Sequence, residues 1–227
     1  MINGTIWKQR NINKSYATIG RNKSHEIFKT NIFKINRPYI IFVSNDKVYY
    51  LAAKSVKEGN YKETKKDKTN ILVPQGIYGD GHFSAINTRA INVMEKELFF
   101  SLFEIDKTNN GILLNQGVYN AIMKQVLENI KNKDFNIFEI ESISYSKATW
   151  YSKTEAFQRN YHFLEHSLEI FNSLDENQKI SAYNQDNYFD VEYRKWINKQ
   201  TKQEKEIEKT PEKQNEMPKE KDLELEL

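Results

Sequence analysis

Lys54, Ser55 and Lys57 close an apolar run and set a hydroxyl between ammonium groups, an arrangement suited to phosphate chemistry. Lysine neutralises phosphate charge, and a serine hydroxyl both donates and accepts a hydrogen bond. The same stretch also reads as a surface serine on a lysine-rich loop. Arg89 is a second candidate, because Asn87-Thr88-Arg89 interrupts an otherwise alternating run from Phe83 to Met94. Such an arginine either points to solvent or lines a polar site, and guanidinium is the group best suited to a pentacoordinate phosphate. His25, directly after Lys23-Ser24, reads as a proton shuttle or phosphate contact, or else as a surface histidine.

These groups need a frame, and the run from Asn36 to Lys57 supplies one. Residues 39–43 and 48–53 are β-branched or aromatic, separated by Ser44-Asn45-Asp46-Lys47, which predicts a β-hairpin with Ser55 at its mouth. Pro38 lacks the N–H of a central strand and should start the first arm. Residues 58–70 read as a charged loop, and Ile71–Val73 as a short strand halted by Pro74. In Gly76–Phe83 the Asp80-Gly81 step signals a turn, and the glycines match neither a P-loop nor a dinucleotide fingerprint. Residues 83–94 alternate as a strand. From 115 to 131 the period changes: Val118, Ile122, Val126 and Ile130 with Met123 and Leu127 predict an amphipathic helix packed on the sheet. Further helices are expected at 152–174 and, more weakly, 191–197. The expected architecture is α+β. A strongly bent, small antiparallel β-barrel with its first packed helix spans 1–135, a helical extension 136–198, and a disordered charged tail 199–227.

At 227 residues, 38% hydrophobic and 13% aromatic, the chain has enough apolar matter for a core. It has no cysteine, which excludes disulfides, thiolate zinc sites and cysteine nucleophiles. No stretch has the composition of a signal peptide or a membrane span, so a soluble, cytoplasmic protein without a membrane partner is expected. Charge is unevenly placed: up to residue 70, fifteen lysines and arginines face five acids. Either biased composition or a polyanionic partner accounts for that, and interleaved aromatics such as Tyr16, Phe28, Phe33, Tyr39 and Tyr61 could stack on bases. The candidate RNA contacts are His25, Lys29, Lys34, Arg37, Tyr39 and Thr88. His162-Phe163-Leu164-Glu165-His166 spells H-x-x-E-H, which on a helix places two histidines on one face as in a zinc peptidase. A third protein ligand is required and the acids downstream belong mainly to the charged tail, so exposed helical histidines are the default, a zinc metallopeptidase is the lesser alternative, and no metal or cofactor is expected.

The order of these elements resembles the ToxN/AbiQ type III toxins and, more distantly, the MazF/PemK and CcdB toxins. Tyr50-Leu51-Ala52-Ala53-Lys54-Ser55-Val56-Lys57 is similar to the ToxN-type strand that ends in Thr-Ser-x-Lys, with Lys54 in place of the threonine. Ile86-Asn87 to Val93, and Tyr119 with Gln125, resemble that family's later strand and helix, while Arg37-Pro38 and Arg89 loosely resemble MazF. The resemblance covers about residues 35–131. It implies a metal-independent endoribonuclease in which the 2′-hydroxyl of single-stranded RNA attacks, leaving a 2′,3′-cyclic phosphate and a 5′-hydroxyl. It also implies the roles: Ser55 holds or relays a proton, Lys54 and Lys57 neutralise the phosphate, and Arg89 stabilises the transition state. The implied partner is an antitoxin, an RNA pseudoknot in ToxN-like systems or a small protein in MazF-like ones, with a homo-oligomer possible. A non-catalytic RNA- or protein-binding barrel and a CcdB-like topoisomerase inhibitor are the alternatives.

Overall fold

Two apolar runs joined by a four-residue turn form the centre of the sheet. The computed structural model describes residues 3–10, 18–21, 27–30, 38–107, 113–140, 148–150 and 155–208. In chain order the strands are β1 Ile6–Gln9, β2 Thr18–Arg21, β3 Ile27–Thr30, β4 Tyr39–Ser44, β5 Lys47–Ser55, β6 Asn70–Val73, β7 Ser84–Asn87, β8 Ala90–Glu95, β9 Phe103–Ile105, β10 Asn136–Ile140 and β11 Ala148–Trp150. The helices are α1 Glu58–Lys66, α2 Lys96–Leu102, α3 Gln116–Lys131, α4 Glu155–Ser173, α5 Glu176–Asn184 and α6 Tyr188–Glu208. The predicted hairpin is β4–β5, and β4 begins one residue after Pro38.

Nine strands form one sheet in the order β11-β10-β8-β5-β4-β1-β9, with β7 also beside β5 and β6 beside β7; β2 and β3 pair separately. All pairs in the large sheet are antiparallel except β8–β10, where a crossover through α2, β9 and α3 returns the chain parallel. The order runs open from β11 to β9 and does not close into the expected barrel. A barrel hides one sheet face inside itself, whereas here helices and flanking residues cover both faces, so closure is not needed to bury them. Tyr49, Leu51, Ile91, Val93 and Ile137 pack with α3, α4, α5 and Phe189 on one face. Ile41, Val48, Tyr50 and Met94 pack with Trp7, Phe99, Leu102 and Phe103 on the other. That two-sided burial is why β4 and β5 are near-continuous apolar runs rather than alternating ones.

Two irregularities bend the sheet. Between Ile41 and Val43 the β4–β5 register shifts, so Phe42 is an extra residue whose carbonyl accepts a hydrogen bond from the buried Tyr119 hydroxyl. The second lies along the other side of β5. Tyr50 pairs Asn92 and Ala53 pairs Ile86, so two residues of β5 face five, Asn87 to Ile91, on the opposing chain. The extra length is the Asn87-Thr88-Arg89 interruption seen in the sequence.

Helix α3 has the predicted span, and Asn115 caps it by accepting from the Gly117 amide at 2.9 Å. Several elements differ from the sequence reading. Residues 58–66 are helical rather than a loop, with the Asn60 side chain accepting from the Lys57 amide at 2.8 Å. Strands β10 and β11 come from the stretch assigned to a helical extension; β10 is buried along its length, and five residues are too few to show a period. Helix α6 continues past residue 199 to Glu208, because its lysines, glutamines and glutamates favour helix and the first proline beyond is Pro211. The tail beyond 208 lies outside the described residues. Residues 1–193 form one compact unit and 194–227 a second. Among the described residues no helix is long and apolar enough to cross a membrane.

Candidate functional site

Ser55 is the last residue of β5, exposed, and its cross-strand neighbour on β7 is Ser84. The ladder continues one step further, with the Val56 amide donating to the Phe83 carbonyl at 2.8 Å. This fixes the strand end before the chain turns into α1. Side chains alternate between the faces of a strand, so Lys54 and Ser55 point to opposite sides. Lys57 follows two residues on as the N-cap of α1, with an extended backbone at φ −108° and ψ 162°. Alternation therefore turns Lys54 away from Ser55, and Lys57 stands at the junction that Ser55 opens.

A histidine joins them that sequence reasoning passed over. The Ser84 hydroxyl donates to the His82 carbonyl at 3.2 Å, and the His82 amide donates to the Asp80 carboxylate at 3.0 Å. His82 is exposed. Its position depends on Gly76, whose φ is +74° and whose place would put an added Cβ 2.5 Å from the His82 carbonyl oxygen. Only a residue without a side chain lets the two arms of this turn approach so closely. Local sequence shows a turn here and nothing more; the β5–β7 pairing sets Ser84 opposite Ser55 and so brings His82, two residues before Ser84, to the same end of the sheet, and that is a non-local fact. Histidine is the side chain suited to proton transfer near neutral pH.

Beside this end lies a pocket of about 320 Å³ lined by Val56, Lys57, Glu58, Tyr61, Lys62 and Phe83. The Tyr61 and Phe83 rings meet edge to face at 5.6 Å, and the Lys65 ammonium stands 5.7 Å from the Tyr61 ring centre. Lys57, Lys62, Lys65, Lys66 and Lys68 are all exposed, so α1 and its flanks present a basic ridge. Lysine at the N-cap has no acceptor, so it does not neutralise the positive end of the helix.

Arg89 is not part of this group. Ser84 is level with Ser55, and three strand steps, roughly 10 Å, separate it from Asn87 before the bulge begins. The Arg89 guanidinium is held by Asp134, and the Arg89 carbonyl accepts from the Asn136 amide at 2.8 Å, so the residue ties the bulge to the turn between α3 and β10. Thr88 is completely buried: its amide and hydroxyl donate to the Thr69 carbonyl, and Asn129 donates to its carbonyl at 3.1 Å. A residue with no accessible surface cannot touch RNA, so the expected contact by Thr88 does not fit. Tyr39 is half-buried with its ring against Tyr50 and Phe103, at 5.6 and 5.1 Å. It belongs to the aromatic cluster on the α2 face. His25, Lys34 and Arg37 lie outside the described residues; Lys29 falls on β3, opposite Ile19, with only its backbone described. Tyr119, singled out by the resemblance, is fully buried as the partner of the Phe42 bulge.

His162 and His166 do lie one turn apart on α4, but their surroundings are structural. The Tyr161 hydroxyl donates to Glu165 at 2.9 Å, and burial, followed by that bond, pushes the Tyr161 pKa up to about 12. His166 packs against the Tyr193 ring, with centroids 6.1 Å apart, and burial lowers its pKa. Among the described residues no three histidines or acids are grouped to hold a metal ion. The chain matches no protein-family model and no curated protein.

Proposed function

We propose that this chain is an endoribonuclease of the toxin type, acting on single-stranded RNA at the β5–α1 junction. The observation that carries the reading is the placement of Ser55 at the end of β5, with Lys57 two residues after it and His82 two residues before its cross-strand neighbour Ser84, beside an aromatic pocket and exposed lysines. His82 takes the proton of the attacking 2′-hydroxyl, Lys57 offsets charge on the scissile phosphate, and Ser55 holds a phosphate oxygen or relays the proton to the leaving 5′-oxygen. The products are a 2′,3′-cyclic phosphate and a 5′-hydroxyl. No metal is required. The resemblance of residues 35–131 to ToxN/AbiQ toxins supports this reading, with the open, bent sheet as a relative of their small barrel. Lys54 and Arg89 leave the catalytic group, and Arg89 takes a positioning role. The basic ridge favours an RNA antitoxin over a protein one.

The test is cleavage of unstructured RNA by the purified chain in excess chelator, with end-group analysis. Cyclic phosphate ends, and losses of about 10²–10⁴ in rate for Ser55→Ala, Lys57→Ala and His82→Ala, are expected. Intact RNA refutes the enzyme. The orientation of Lys54, opposite to Ser55, favours the second reading, a non-catalytic RNA-binding protein, which predicts salt-sensitive RNA binding without cleavage.

A further inference from the structure

We infer that the pocket between α1 and Phe83 is a nucleobase subsite that reads guanine in single-stranded RNA, with Glu58 as the specificity-determining residue. This rests on the ribonuclease reading of the Ser55 end, and adds to it what the substrate presents there. At about 320 Å³ the pocket sits at the small end of ligand sites, roughly 300–1,000 Å³, and has volume for a single base rather than a helix or a folded RNA element. Val56, Tyr61 and Phe83 give it an apolar and aromatic side, the kind of surface against which an unstacked base packs. Lys57 and Lys62 also line it, exposed, and can meet the phosphates flanking an inserted nucleotide. The one acidic group in the lining, Glu58, runs against the local charge of this basic ridge.

That carboxylate carries the specificity. It only accepts hydrogen bonds, so it suits a base edge that only donates. Guanine presents N1–H and N2–H side by side on its Watson–Crick edge, a match for two carboxylate oxygens. Cytosine and adenine offer one amino group beside a ring-nitrogen acceptor. Uracil offers a single N–H between two carbonyls, which repel a carboxylate. The order of preference is therefore guanine first and uracil last. Because Lys57 lies both on the pocket wall and beside Ser55, the guanine sits next to the scissile phosphate and sets the cleavage sequence.

Binding of fluorescein-labelled 2′-O-methyl heptamers tests this without cleavage, since the attacking hydroxyl is blocked. The probes are uridine heptamers with guanosine, adenosine, cytidine or uridine at the centre. The intact chain should hold the guanosine probe about tenfold more tightly than the all-uridine one, in line with a bidentate base contact. Glu58→Gln should cut that ratio below about threefold while leaving the salt dependence unchanged, and Glu63→Gln, outside the pocket, should preserve it. Tyr61→Leu keeps apolar bulk against Phe83 but removes the π face, and should weaken all four probes about equally. Equal binding of the four probes by the intact chain, an undiminished guanosine preference in Glu58→Gln, or no binding at all would overturn the subsite. Parallel cleavage of unmodified RNA separates the two proposals. Cleavage with no guanosine preference refutes the subsite alone, whereas preference without cleavage refutes the enzyme and leaves the subsite standing.

Discussion

Replacing Arg89 distinguishes a catalytic arginine from a structural one, because the structure assigns it a partner 45 residues away. Arg89 and Asp134 have side chains 27% and 45% exposed. At that exposure solvent screening limits the pair to about 0.5–1 kcal/mol. The Arg89 Nε is buried without an acceptor, a desolvation cost that alanine would relieve. The net loss for Arg89→Ala is therefore at most about 1 kcal/mol, or about 2–4 °C in Tm for a unit of this size. Asp134→Asn should shift Tm similarly, and the double variant should lose little more than either single one, because both remove the same contact. High salt should narrow the gap to the parent chain. Cleavage by Arg89→Ala should stay within about threefold of the parent, against losses of about 10²–10⁴ for Lys57→Ala. Calorimetry with single-turnover cleavage of a labelled RNA reads both quantities. A hundredfold loss of rate in Arg89→Ala at unchanged Tm, with Asp134→Asn fully active, would show that the guanidinium reaches the phosphate and that the strand separation was misread.

Tyr119→Phe removes the hydroxyl that satisfies the bulged Phe42 carbonyl, and should cost about 1–3 kcal/mol, read as a lower denaturant midpoint with unchanged slope. Gly76→Ala forces a side chain against the His82 carbonyl at φ +74°, so it should lower cleavage more than it lowers RNA affinity, measured as rate and binding constant side by side. For His166 the sign follows from linkage: burial lowers its folded pKa below the usual 6.5, so the unfolded chain binds the extra proton first. Stability from this group should be whole above about pH 6.5 and fall as pH drops towards the folded pKa, visible as a falling Tm that His166→Gln flattens.

The hairpin and α3 were legible because each announces itself within a dozen residues: two β-branched and aromatic runs around a polar turn, and an i, i+4 repeat behind an asparagine cap. Strand β10 was not, since its five residues are all buried and take their place through non-local pairing, parallel to β8 and antiparallel to β11. Helix α1 was hidden by its charge: Glu58 to Lys66 has a single buried side chain, Thr64, so no apolar stripe marks it. For the candidate site, the hairpin reading put Ser55 at a strand end, where β5 does finish, and grouped Lys54 with it by adjacency in sequence. Alternation on the strand sends Lys54 to the other face. Arg89 drew attention for a sound reason, an interrupted strand, yet the interruption is a bulge whose polar groups are turned inward onto Thr69, Asn129 and Asp134.

The bulge has a consequence for the far end of β5 despite lying about three strand steps from it. By placing five residues opposite two, it shifts the pairing of β7 against β5 relative to that of β8. Were those three residues paired in line rather than looped out, the β8 register would continue, and Ser55 would face residue 87 instead of Ser84. Asn87, not Ser84, would then stand beside the hydroxyl, and His82 would be carried about three strand steps, roughly 10 Å, past it. The buried contacts of Thr88 and the Arg89–Asp134 pair hold that offset in place. Thr88 and Arg89 thus fix which residues of β7 meet the end of β5, the way a register is set in any sheet with one correct pairing.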